Sequence, residues 1–419
     1  MKRFKPTTII FIMASIATFA AVQILINLNI LNSFWNTIIR FGGVMAITSL
    51  GLNLIYGFNG QFSLGQWGFY AIGAYTAADI TYRWAQLHSA DGLTVVALAC
   101  LLSGIMILLI NRLINKMRGL DTLSAFALYL TTVITAVIAA VKLGQIVAEP
   151  VTLTLQLLPE KVGLTLVFLL AVLLGGVAAA EISFLFGLPV LTLGSDYFGI
   201  ATLGFTIIIK VLLENSDTMF GFEEMKGARG MLGIPKITTW FWVFLFLFLT
   251  IIVIRNLLNS SFGRAIISVR EDETAAKAMG IDVAYYKTVT FVIGSLFAGL
   301  AGGLYAHING FLHPNTFSFI KSFDPLIIIV FGGLGSITGT VVASFGWALM
   351  LEGVLRLVLP DGFETWRFVV YPVMLLIMML LKPKGIFGNY EIPFIRSVVP
   401  PLKNSLKKST SNKKTKGAA

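Results

Sequence analysis

From Thr7 onward the chain alternates apolar runs of about twenty residues with short polar breaks, and that length matches a helix crossing a bilayer. Hydrocarbon accepts only helices or closed barrels, because every backbone polar group must be paired internally. The alternating ten-residue pattern of barrel strands is absent, so the chain reads as an all-α, polytopic transmembrane helical bundle. Only 12% of its residues are charged and 57% are hydrophobic. A soluble domain carries roughly 25% charge.

Twelve spans are expected, near 7–28, 35–56, 64–83, 92–111, 122–145, 163–186, 197–213, 239–258, 288–309, 323–336, 339–358 and 367–381. Ten to twelve crossings remain compatible with the pattern, because several runs are short or glycine-rich. The first run, from Thr7 to Leu28, is long for a signal peptide and reads as a retained span. A transmembrane domain over 1–390 and a basic, disordered tail over 391–419 follow.

The net charge of +11 sits at the ends, in Lys2, Arg3 and Lys5 and in a lysine-rich tail from Lys403 to Lys416. Basic residues flanking spans mark the cytosolic side, not a nucleic-acid partner. On that basis both termini and the segments 112–121 and 259–287 face the cytosol. The acidic cluster of Glu214, Asp217, Glu223 and Glu224 lies outside. Cys100 is the single cysteine, so no intrachain disulfide is possible.

Two glycine blocks interrupt the spans. One is YGFNGQFSLGQWGFYAIGAY and the other is FGGLGSITG. Small residues let helices approach closely in lipid. The same glycines suit broken or re-entrant helices whose freed backbone groups line a polar route. Both readings stand.

The polar exception is Arg264 to Lys287, RAIISVREDETAAKAMGIDVAYYK. Strong helix formers run from Glu271 to Ala278, and Gly280 suits a left-handed cap. Glu273 and Lys277 have the i,i+4 spacing of an ion pair. A helix this short is marginal in water, so something must hold it. A solvated connector and a docking peg are both compatible with the residues alone.

Chemistry-bearing motifs are missing. No Gly-Lys dipeptide occurs, which removes a phosphate-binding loop. His88, His307 and His313 show no metal-ligand spacing, and no serine elbow or carboxylate pair stands out. Neither an enzyme nor a metal site is expected.

The stretch E273-T-A-A-K-A-M-G280 resembles the E-x-A-A-x-x-x-G loop of ABC importer permeases. The wider segment is similar to permeases of branched-chain amino acid importers, of the LivM type. Further likeness lies in GLNLIYGFNGQFSLGQWGFYAIGAY, in GLPVLTLGSDYFGIATLGF, in FAGLAGGLYAHINGFLHPNTFSF followed by FGGLGS, and in LKPKGIFG. The resemblance implies a cytoplasmic-membrane protein of a prokaryote, working with ABC ATPase subunits, a second related permease and an extracytoplasmic solute-binding protein. ATP and Mg would bind the partner alone.

It further implies that Arg270, Glu271, Asp272, Glu273, Ala275, Ala276 and Gly280 couple to the ATPase, with Ala275 and Ala276 filling its groove. For the translocation path the polar or glycine positions Gln61, Ser63, Gln66, Asp196, Tyr197, Gly332, Gly333 and Gly335 are the candidates. Asp196 also suits a helix N-terminus, Ser63 a local backbone bond, and Asp324 the start of a helix. Gly194-Ser195 stand where the family has an arginine-glycine pair, and Thr206-Ile207 where it has Gly-Glu. The external T-G-G-x-x-G-I segment survives only as FGFEEMKGARGMLGI. About two extra spans fall within 84–186. The resemblance therefore names a family and not a solute. Urea or short-chain amides form the nearest alternative, and an ion-coupled secondary transporter a further one.

Overall fold

The computed structural model describes residues 6–116, 122–191, 195–220 and 225–355, with 373, 376–377, 380–382, 385–388 and 391–392 beyond them. Eleven expected spans coincide with helices. The twelfth, 367–381, lies largely outside the described residues, as does the tail from 393. Nine helices among the described residues are long and apolar enough to cross a membrane.

The core is a glycine seam. Helices α1 (Pro6–Asn27) and α2 (Ser33–Leu52) are followed by α3 (Gln66–Leu87), α4 (Asp91–Lys116), α5 (Thr122–Gln156) and α6 (Glu160–Val190). Then come α7 (Ser195–Glu214), the short α8 (Ser216–Phe220) and α9 (Trp240–Asn259). Next are α10 (Ser261–Glu271), α11 (Glu273–Ala278) and α12 (Val283–Asn309). A Cβ on Gly73 would fall 2.1 Å from the Gly299 carbonyl oxygen, and one on Gly302 would fall 1.9 Å from that of Tyr70. Helices α3 and α12 therefore run side by side at backbone contact, as small residues permit in lipid. Gly175 brings α6 into the same seam, where it meets both Gly73 and Gly299.

This placement explains α3. Its sequence is too polar to rank among the nine apolar spans, yet most of its residues are buried. Protein surrounds it on several sides, so it does not have to dissolve in lipid.

Helix α2 loosens into a π-helical turn at Asn53–Phe58, and residues 59–65 return as irregular chain to the start of α3. The late glycine block also breaks. Helix α13 (Phe323–Gly332) has 10 residues, which at about 1.5 Å per residue spans about 15 Å, half of a hydrocarbon core of about 30 Å. It turns through Gly333 and Gly335, both at positive φ, into α14 (Ile337–Ala348), which continues as a π-helical stretch Leu349–Leu355. A Cβ on Gly332 would lie 2.5 Å from the Gly339 backbone, so only glycine closes this hairpin. The broken-helix reading holds for this segment, and close packing holds with it.

Helices α4 and α5 form a peripheral hairpin, with α5 eleven residues longer than the expected span end at 145. At the end of the bundle remote from α10 and α11, strands β1 (Met231–Leu232) and β2 (Phe311–Leu312) pair antiparallel. There Arg40 donates from Nη1 to the Thr238 carbonyl at 2.8 Å, and Thr238 donates to Leu304 at 2.9 Å. His307 is buried and satisfied, with Nδ1 2.7 Å from the Gly303 carbonyl and Nε2 2.8 Å from Thr81 Oγ1.

Candidate coupling face and translocation cavity

The polar segment folds as two helices, not one. Asp272 adopts an extended backbone (φ −160°) between α10 and α11, and its Oδ1 accepts from the Thr274 and Ala275 amides at 2.8 and 3.0 Å. An aspartate cap stabilises a helix start by about 1 kcal/mol. Gly280, at φ +79°, ends α11, and the Ile281 amide reaches back to the Ala276 carbonyl at 3.0 Å, closing the helix in the manner of a Schellman turn. Glu273 pairs with Lys287 and not with Lys277, because Lys287 is offered by the second turn of α12.

Of the expected coupling residues, Ala276 faces inward and Arg270, still exposed, reaches back to the bundle. Ala276 is only 3% exposed and packs with Val269 and Val283, so it cannot also fill a partner's groove. Every other residue of α11 is exposed, Glu273, Ala275 and Lys277 among them, with Met279 at 82% exposure just beyond. Arg270 turns toward the bundle and donates from Nη1 to the Gly57 carbonyl at 2.6 Å. Its aliphatic stem covers Gly60, and Gly335 lies beside its guanidinium.

From Gly57 the connection continues into the late hairpin. Asn53 is fully buried; its Nδ2 donates to the Ser336 carbonyl at 2.9 Å and to Thr340 Oγ1 at 2.8 Å. Its Oδ1 accepts from the Gly335 amide at 2.9 Å. Glu391 accepts from the Ile337 and Thr338 amides at 2.5 and 3.2 Å and caps α14. Residues 391–392 therefore belong to the folded body and not to the tail. Sequence reading missed Asn53; its signal was an asparagine inside an apolar span.

The other expected path residues are dispersed. Gln66 donates to the Gly294 carbonyl at 3.2 Å and fastens α3 to α12. Gln61 accepts from Asn59 at 2.8 Å. Ser63 lies in irregular chain, where it accepts from the Gly65 amide at 3.3 Å. All three are buried. Asp196 stands in the first turn of α7, and Tyr197 is exposed on the same helix. Gly332, Gly333 and Gly335 form the hairpin turn.

What opens beside the hairpin is a cavity of about 480 Å³. Its walls are Phe41 of α2, Trp67 of α3 and Tyr305 of α12, and its polar groups include Lys321, Asp324 and Glu352. Lys321 Nζ lies 3.4 Å from Asp324 Oδ2. Trp67 stacks on Tyr70 at 4.5 Å and donates from Nε1 to the Thr316 carbonyl at 3.0 Å, which fixes its ring. The cavity offers both signs of charge beside aromatic surface. Asp324 does start α13, as its position next to Pro325 suggests, but it also faces this space.

A glycine-seamed bundle of apolar helices, with one half-length helix in its late hairpin and a short exposed helix tied to it, defines a multi-span membrane protein. The chain belongs to the family described as branched-chain amino acid transport system, permease component, which matches residues 34–155 and 123–379. It is similar to the high-affinity branched-chain amino acid transport system permease protein LivM of Escherichia coli, at 31% identity over 242 residues. That alignment covers 51% of this chain and 56% of the relative, so it spans about half of each. The probable LivM protein of Methanocaldococcus jannaschii is 24% identical over 254 residues, 57% of this chain and 72% of its own length. The LivH protein of Salmonella typhimurium is 30% identical over 134 residues, 32% of this chain and 42% of its own length. No solved structure matches the chain.

Proposed function

We propose that the chain is one membrane subunit of an ABC importer in the cytoplasmic membrane of a prokaryote, carrying branched-chain amino acids or similar small polar solutes. Separate ATPase subunits, holding ATP and Mg, engage the exposed face of α10 and α11 from the cytosol. A second, related permease and an extracytoplasmic binding protein complete the machine. This chain itself catalyses no reaction.

The supporting observation is the path from Arg270 through Gly57 and Asn53 to the Gly333–Gly335 turn. A nucleotide can shift a conformational equilibrium only through contacts that differ between states. Movement of α10 changes the Arg270 contact, and Asn53 passes that change to the hairpin beside the cavity.

The Lys321–Asp324 pair supports a zwitterion over a neutral amide, since each end of an amino acid then has a partner of opposite charge. The test is reconstitution in vesicles with the ATPase and the second permease. ATP-dependent uptake of an aliphatic amino acid is expected. Concentrative uptake by this chain alone, or preference for urea, overturns the reading.

A further inference from the structure

A second cavity, of about 470 Å³, lies between α3, α4, α5 and α6 and has no part in the coupling path. Its size is within the roughly 300–1,000 Å³ of small-molecule sites. It follows α4 from Asp91 in the first turn to Ser103, about 18 Å at about 1.5 Å per residue.

The mouth is polar. Arg83 Nε lies 3.1 Å from both oxygens of Asp79, and Asp91 stands beside them. Val95, Val137 and Val141 line the apolar middle. At the deep end Ser103 Oγ is 2.6 Å from Glu181 Oε2, which rises from the Ala-Ala-Ala-Glu run of α6.

An ionisable side chain at membrane depth is costly and marks a pathway or a partner. The wall carries three carboxylates, of Asp79, Asp91 and Glu181, against the single guanidinium of Arg83. An anion is therefore disfavoured throughout. A neutral hydrocarbon would fill the valine section but offer no donor to the Glu181 carboxyl group.

We infer that this cavity binds an aliphatic primary ammonium compound, its head on Glu181 and Ser103 and its chain along the valines. An ammonium brings one positive charge and three donors, matching the open lone pairs of a carboxylate. The chemistry is common to a free alkylamine and to the headgroup of an aminophospholipid.

The full-length permease, purified in detergent, is titrated calorimetrically with n-octylammonium, with n-octanol as the uncharged control. Saturable binding of the amine is expected, at least tenfold tighter than that of octanol. Glu181→Gln should weaken it at least tenfold, and Val137→Trp, which fills the middle, should abolish it. Equal affinity for octanol, or unchanged binding in both variants, overturns the site. In nanodiscs, competition by phosphatidylethanolamine but not phosphatidylglycerol assigns a positive result to a lipid headgroup, and its absence assigns it to a soluble amine. The readout needs neither ATPase nor uptake, so it is independent of the transport reading.

Discussion

Arg270 and Gly57 are 213 positions apart, yet a hydrogen bond of 2.6 Å joins the end of α10 with the interior of the bundle. The acceptor is available because Gly57 lies in the last turn of the helical stretch that ends at Phe58. The final carbonyls of a helix have no partner within it, so this one is open to an outside donor.

The first prediction concerns this bond. Hydrogen bonds to charged groups contribute about 1.5–3 kcal/mol, enough to move a two-state equilibrium about tenfold or more. In the assembled importer, Arg270→Ala should cut ATP-driven uptake about tenfold, with the nucleotide hydrolysed still at near the normal rate. Arg270→Lys should recover part of the loss. Loss of hydrolysis and transport in equal proportion would show that Arg270 acts on ATPase docking instead.

Ala276 and Ala275 are adjacent but predict opposite outcomes. Overfilling a packed site costs about 1–3 kcal/mol, and Ala276 is the buried one. Ala276→Leu should loosen α11 in the isolated permease, seen as faster amide exchange over 272–280 with membrane insertion unchanged. Ala275→Leu should leave exchange unchanged and weaken only ATPase association. Identical behaviour of the two variants would refute the assigned faces.

Asn53 fastens α2 to the late hairpin through Ser336, Thr340 and Gly335. Each buried polar group left unpaired costs about 1–3 kcal/mol. Asn53→Leu should therefore lower the melting temperature in detergent by several degrees, more than Gln61→Leu, which strands only the Asn59 amide. A Gln61 variant that is the less stable of the two would contradict the network.

Glycines separate by what a methyl would meet. At Gly302 a Cβ falls 1.9 Å from the Tyr70 carbonyl oxygen, whereas at Gly346 nothing lies within 4 Å. Gly302→Ala should abolish stable folding by forcing α3 and α12 apart. Gly346→Ala should be neutral or stabilising by up to about 1 kcal/mol through helix propensity. Expression and monodispersity of the two variants decide this.

Within the cavity, Asp324→Asn removes one charge of the Lys321 pair while keeping the shape. If a zwitterion passes here, apparent affinity for the amino acid should fall at least tenfold with ATPase coupling intact. Unchanged affinity would move the solute path elsewhere.

Much of the fold was legible in the sequence because lipid enforces a strict rule. An apolar run of about twenty residues has few alternatives to a spanning helix, and eleven of the expected runs are helices. The cap at Gly280 was also legible, since its αL backbone suits glycine. Glu273 was paired with Lys277 because sequence spacing sees only neighbours on one helix. Both do lie on α11, but Lys287 arrives from α12 and takes the Glu273 carboxylate.

The chain's order of residues settled what is local: which segments enter hydrocarbon, where the polar peg falls, and that glycine recurs where helices meet or turn. Burial was settled elsewhere. Ala275 and Ala276 are chemically the same, and only the approach of Val269 and Val283 makes one of them interior. Likewise Asp324 and Glu352 are merely rare acids in apolar runs until α2, α3 and α12 enclose a space beside them. Contacts between segments far apart in the chain depend on three-dimensional closure, which no periodicity along one segment encodes.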